Sequence, residues 1–258
     1  MSTAGRSPEP EPLDEVEQYR MPLIEHLREL RNRLMYAIAA AVVGFLISLA
    51  FVDDILHFVT APVTDTLEAL NIEGGLSLVN SPFEGMQVWL NAALIGAVTL
   101  SSPVIAYQVW AFVAPGLYQT ERKYVAPLAF SSTALFLAGA GFAYYVIFPV
   151  AFPFFFTVVE AEVSLSIEGY LNAVLKLLVA FGACFQLPVG AFFLARLGLI
   201  DGRDMIKAFR YSVVGIFVVA ALITPPDVLS QLLLAAPLMV LYFVSVGVAW
   251  MFSTKVRE

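Results

Sequence analysis

The residues able to do chemistry in this chain are few, and they sit mostly at the ends of apolar runs. His26 and His57 are the only histidines and Cys184 is the only cysteine. A Ser-His pair inside an apolar run therefore cannot form, and neither can a His/Cys metal cluster. Cys184 has no partner for a disulfide or a CxxC redox pair. An intramembrane aspartyl protease would need two aspartates within the spans, yet Asp227 and the other aspartates fall in connections or at span edges. The inventory speaks against an enzyme, and no cofactor or metal is expected.

What remains is a set of carboxylates close to basic residues. Glu29 and Glu121 both lie near the ends of apolar runs, in segments where arginine and lysine dominate. Two such groups can receive guanidinium groups in bidentate fashion. A plainer reading stands beside each. Glu29 pairs with Arg33 at i,i+4, worth about 0.3–0.5 kcal/mol, and Glu121 is a favourable charge at the start of the next helix. Tyr107, Trp110, Phe112 and Tyr118 are either an interfacial aromatic belt or, for Phe112 and Tyr118, the floor of a groove beside Glu121. Gln186, near mid-depth and followed by Pro188, is either a functional polar contact or an amide satisfied by a neighbouring helix.

These groups have to be positioned by membrane helices. The 258 residues are 60% hydrophobic and 14% charged, with a mean hydropathy of +0.82, which is more apolar surface than one soluble core can hide. Runs at about 34–52, 86–110, 124–148, 170–194, 208–223 and 228–252 approach or exceed the ~17–25 residues that cross a bilayer as helix. They are too long and too continuously apolar for barrel strands. The expectation is an all-α membrane protein of six transmembrane helices, the fifth one short.

Thirteen of the 14 Lys and Arg residues lie in the connections 1–33, 111–123, 195–210 and 253–258, and the fourteenth is Lys176, inside a span. The opposite connections hold only acidic charge, including Asp53, Asp54, Asp65, Glu68, Glu84 and Asp227. The positive-inside rule then puts both termini in the cytoplasm. A net charge of −7 argues against nucleic-acid binding.

Residues 1–20, rich in proline and acid, are expected to form a disordered cytoplasmic tail without a cleavable signal. A single transmembrane domain follows over 21–252, and 253–258 is a cytoplasmic C-terminus. Leu23, Leu27, Leu30 and Leu34 recur at helical steps, predicting an amphipathic helix that leads into the first span. The external loop from Asp53 to Gly85 is expected to carry a short helix near Val63–Leu70. Thr224-Pro225-Pro226-Asp227 predicts a tight hairpin between the last two spans. Pro103, Pro127, Pro149, Pro153, Pro188 and Pro237 predict bent helices and a curved, open shape.

Five segments carry a resemblance: HLRELRNRL (His26 to Leu34), SPF (Ser81 to Phe83), SSPVIAYQVWAFVAPGLYQTERK (Ser101 to Lys123), FGACFQLPV (Phe181 to Val189) and TPPDVLSQ (Thr224 to Gln231). In this order the chain resembles the TatC family, polytopic subunits of the twin-arginine translocase, from about Pro22 to Val248. The resemblance implies a receptor for signal peptides with consecutive arginines, working with TatA and TatB to export folded proteins across a bacterial cytoplasmic membrane on the proton-motive force. Membrane lipid and further copies of the chain are also expected partners. It implies that Glu29 and Glu121 contact the arginine pair and that Phe112 supports the patch, with Arg31 and Tyr118 completing the candidate set. Gln186 and Asp227 are candidate polar contacts to partner helices. Gln186 stands where many relatives have a glutamate, so no titrating carboxylate is available there. The alternative function is a polytopic small-molecule or ion transporter.

Overall fold

The computed structural model describes residues 23–69, 82–114, 125–158, 166–223 and 228–254. In chain order these form α1 (Leu23–Ala50), α2 (Val52–Ala69), α3 (Pro82–Val113), α4 (Val125–Phe142), a π turn (Ala143–Ile147), α5 (Phe148–Val158), α6 (Ile167–Cys184), α7 (Leu187–Arg196), α8 (Gly202–Ile223) and α9 (Val228–Phe252). Six stretches are long and apolar enough to cross a membrane: Ile24–Ala50, Phe83–Val113, Val125–Pro153, Ile167–Arg196, Gly202–Ile223 and Gln231–Phe252. The protein is an all-α integral membrane protein with six candidate spans. The last two are the shortest, 22 residues each against 27 to 31 for the others. α8 itself starts at Gly202, and its first turns carry Arg203, Asp204, Lys207 and Arg210, so its purely apolar part is shorter still.

α1 packs along α3 through a stripe of small residues. Ala37, Ala40, Gly44 and Ser48 recur at steps of three and four and turn away from the surroundings. Without large side chains between them the two backbones approach closely, as membrane helices do through small residues. A Cβ on Gly44 would lie 3.1 Å from the carbonyl oxygen of Ala97, and one on Gly96 only 2.5 Å from Ser48 Oγ. The bulky residues of α1 face outward: Leu27, Leu30, Leu34, Val42 and Leu46 are all exposed. The leucine periodicity expected to mark an amphipathic helix is present, but its apolar face points away from the protein.

The segment between the first two spans differs from expectation. Its helix covers Val52–Ala69, beginning far ahead of the short Val63–Leu70 helix read from the sequence. Asp53 and Asp54 favour the first turn through the helix dipole, and Val52, Val59, Val63 and Leu67 form one buried face. Pro62 lies inside α2 and lacks the N–H that would bond to the carbonyl of Phe58. Tyr144 Oη donates to that carbonyl at 2.6 Å, and Tyr170 Oη donates to the next one, Val59 O, also at 2.6 Å. The first phenol supplies the donor that Pro62 lacks, and both pin α2 to the spans beneath it.

Proline also shapes the third span. Pro149 has no N–H for the carbonyl of Tyr145, and its ring crowds that oxygen. The preceding turn widens, with Phe148 N–H reaching back to Ala143 O. In the fourth span Pro188 stands at the start of α7, and the helix breaks at Phe185 and Gln186. The span read as one helix is therefore two.

Between these elements lies the main core, where Phe148, Leu171, Val174 and Phe181 are fully buried. α6 supplies most of it, with Ile167, Tyr170, Leu171, Val174, Leu177 and Phe181 on one stripe. α1 and α8 are peripheral: only 11% of each apolar window is buried, against 33–39% for the other four. At the end where α2 sits, Ser166 Oγ donates to Glu84 Oε1 at 2.5 Å, tying the start of α6 to the start of α3.

Candidate functional site

The small-residue stripe of α1 continues toward its N-terminus as His26, Glu29 and Arg33, at the same three- and four-residue steps. The packing that brings α1 against α3 therefore also carries these three side chains to the far end of α3. There Arg33 bridges the helices. Its Nη2 meets Glu29 Oε1 at 3.2 Å, and its Nη1 donates to Gln108 Oε1 on α3, also at 3.2 Å. One turn further along α3, the ring of Phe112 stacks on His26, with centroids 4.5 Å apart and planes 23° apart.

Glu29 is consequently held by one oxygen only. Among the described residues its Oε2 has no hydrogen-bond partner, and its side chain keeps 19% of its surface accessible. A carboxylate fixed at one corner by an arginine, beside an aromatic floor, presents a defined acceptor to an incoming cation. The i,i+4 pair with Arg33 read from the sequence is present. It orients the carboxylate, and no other described residue takes its second oxygen.

The structure joins Glu29 and Phe112 in one patch. It does not join Arg31 to them: two residues on from Glu29, Arg31 lies on the outward face of α1 and is exposed with Leu27 and Leu34. The helical turn decides this, since a step of two rotates a side chain by about 200°. Tyr118, Glu121 and Asp227 lie outside the described residues. His26 and Gln108 belong to the patch and went unread as site residues. Gln108, a polar residue four positions before Phe112 near the end of an apolar run, was a legible signal.

Deeper along α3, a cavity of about 320 Å³ is lined by Val98, Ser102, Trp110, Ser132, Phe136 and Gln186. Its polar side chains are hydrogen-bonded within the protein. Trp110 Nε1 donates to Ser132 Oγ at 2.7 Å, and Gln186 Nε2 donates to the carbonyls of Ser132 at 3.0 Å and Gly182 at 3.3 Å. The amide of Gln186 thus braces α4 against the break between α6 and α7. Its Oε1 has no partner among the described residues. Among those residues no group of three or more His, Cys, Asp or Glu is placed to hold a metal ion.

The sequence profile of the TatC family, described as Sec-independent protein translocase protein, matches residues 25–237. The chain is 43% identical over 227 residues to the Sec-independent protein translocase protein TatC of Escherichia coli K12, covering 87% of this chain and 86% of that protein. It is 40% identical over 237 residues to the protein of the same name from Helicobacter pylori J99, with 90% of each covered. A solved structure, the crystal structure of the twin arginine translocase receptor TatC, superposes with a TM-score of 0.76 at 35% identity, covering 87% of this chain and 97% of that one. Six apolar spans, the α1–α3 patch and these likenesses over nearly the whole chain lead to one conclusion: this chain belongs to the TatC family of Sec-independent protein translocase subunits.

Proposed function

We propose that this subunit is the receptor for signal peptides bearing consecutive arginines, and that it binds them at the patch formed by Glu29, Phe112, Gln108 and His26. The observation that supports this most directly is the Glu29 carboxylate held by Arg33 near the His26–Phe112 stack, its Oε2 without a partner among the described residues. Glu121 and Tyr118 follow Phe112 within the α3–α4 connection and supply the second carboxylate and a further aromatic edge. Arg31, on the outer face, contributes charge near the site rather than a contact. This end of the molecule faces the cytoplasm of a bacterial cell, as the distribution of Lys and Arg indicates.

Arginine offers a planar fork that matches a carboxylate, whereas lysine offers a point charge. Exposed pairs of this kind contribute roughly 0–1 kcal/mol each, so the arginines select while another contact holds. The apolar segment of the signal peptide supplies that hold by lying along α3 in the cavity beside Trp110 and Gln186, at about 25 cal/mol per Å² buried. TatA and TatB complete the translocase, with Gln186 and Asp227 as polar contacts to their helices, and the proton-motive force drives transport.

The test is photo-crosslinking of a signal peptide to probes next to Phe112 and Glu121, with an arginine pair and with a lysine pair. The expected result is crosslinking for the arginine peptide and clearly weaker binding for the lysine peptide. Equal affinity for the two would overturn the bidentate recognition.

A further inference from the structure

At the end of the molecule opposite the Glu29 patch, a groove of about 450 Å³ runs between α2 and the bent third span. It is lined by Asp65, Thr66, Tyr144, Tyr145, Pro149 and Pro153 among others. Three irregularities of the chain meet here: the proline inside α2, the π turn, and the prolines that follow it. The π turn brings the consecutive residues Tyr144 and Tyr145 to the same groove, with their rings edge to face at 4.8 Å. Such turns recur where a helix is adapted to a function.

We infer that this groove binds a phospholipid with a primary-amine head group, its ammonium seated between the Asp65 carboxylate and the tyrosine rings. Charge complementarity points to a cation. α2 carries Asp53, Asp54, Asp65 and Glu68 and no lysine or arginine, and Asp65 is exposed and makes no ion pair with any described residue. Tyrosine faces attract an ammonium through their quadrupole. Tyr144 keeps its hydroxyl on the Phe58 carbonyl and its ring against Phe58, so it is pre-oriented, while Tyr145 is exposed.

The depth of the groove points to a lipid. Tyr144, Tyr145, Pro149 and Pro153 belong to the candidate span Val125–Pro153, and Ala61, Pro62, Pro149 and Pro153 give the groove apolar walls. A ligand with its cation at Asp65 therefore finds an apolar track for its chains, which a lipid has and a free amine lacks. A primary ammonium can also donate N–H bonds to the carboxylate, which a quaternary one cannot.

The experiment is native mass spectrometry of the full-length protein in detergent, supplied with equal amounts of phosphatidylethanolamine, phosphatidylglycerol and phosphatidylcholine. Retention of the ethanolamine lipid is expected to exceed that of the other two by about fivefold, the size of one exposed charge contact. Asp65→Asn should remove the preference and Tyr145→Ala should reduce it, while Tyr145→Phe preserves it, with unchanged melting temperatures showing that each variant folds. Equal retention of the three lipids, or an unchanged preference in Asp65→Asn, overturns the assignment. A lysine-rich peptide that binds at Asp65 while all three lipids are retained equally would reassign the groove to a polypeptide.

Discussion

The two ends of this molecule use polar side chains in opposite ways. Beneath α2, the hydroxyls of Tyr144 and Tyr170 are committed to the carbonyls of Phe58 and Val59. At the far end of α1, Glu29 is anchored by one oxygen and its other has no partner among the described residues, and Gln108 steadies the arginine that holds it. The first arrangement supplies the donor that Pro62 lacks and ties α2 to the spans, which is a stability task. The second keeps an acceptor available, as the proposed recognition of an arginine pair requires. In a membrane protein the distinction is sharp, because a backbone carbonyl without a partner is costly away from water.

Substitutions should separate the two ends. The largest expected effect is on function alone: Glu29→Ala combined with Glu121→Ala should reduce export of an arginine-pair substrate to background in a cell-based transport assay. Unfolding of the purified variant should stay within about 0.5 kcal/mol of the parent, as for surface changes away from packing. A large fall in melting temperature would show the patch to be structural, and normal export would refute the site.

Gly96→Val acts between the two ends, on the contact that carries Glu29 to α3. Its side chain meets Ser48 and Ile55, and overpacking of this kind costs about 1–3 kcal/mol. Both melting temperature and peptide binding should fall, because separating α1 from α3 also separates Arg33 from Gln108. Loss of stability with full binding would show that the patch forms without the crossing.

At the α2 end the expected pattern is reversed. Tyr170→Phe removes a buried bond and should destabilise by about 1–2 kcal/mol while leaving the affinity for an arginine-pair peptide unchanged. Tyr144→Phe, at a more exposed bond, should cost less than Tyr170→Phe in the same thermal measurement. The smallest change is expected for Gln186→Ala, about 0.6 kcal/mol for an interhelical hydrogen bond in a membrane protein. A much larger loss would mean that the break between α6 and α7 depends on this amide.

The patch was partly legible in the sequence. Glu29 and Phe112 were singled out from residue type and from a family resemblance, and helix periodicity already placed Glu29 and Arg33 one turn apart. Arg31 was a candidate beside them, and the rotation of the helix separates it. Gln108 and His26 were missed because each gains its meaning from a partner more than seventy residues away. α2 was read only over Val63–Leu70, whereas it runs from Val52 through Pro62 to Ala69, with Tyr144 and Tyr170, far along the chain, bonding the carbonyls of Phe58 and Val59.

Composition and periodicity determined, without help from tertiary contacts, that this chain lies in a membrane as six helices with its basic residues gathered on one side. Hydrocarbon length and backbone hydrogen bonding leave few other solutions for such a sequence. Only the tertiary structure decided which face of α1 turns inward. Its leucines have no more affinity for the protein than for lipid tails, so close approach over Gly44 and Gly96 sets the rotation, and that rotation puts Glu29 beside Phe112.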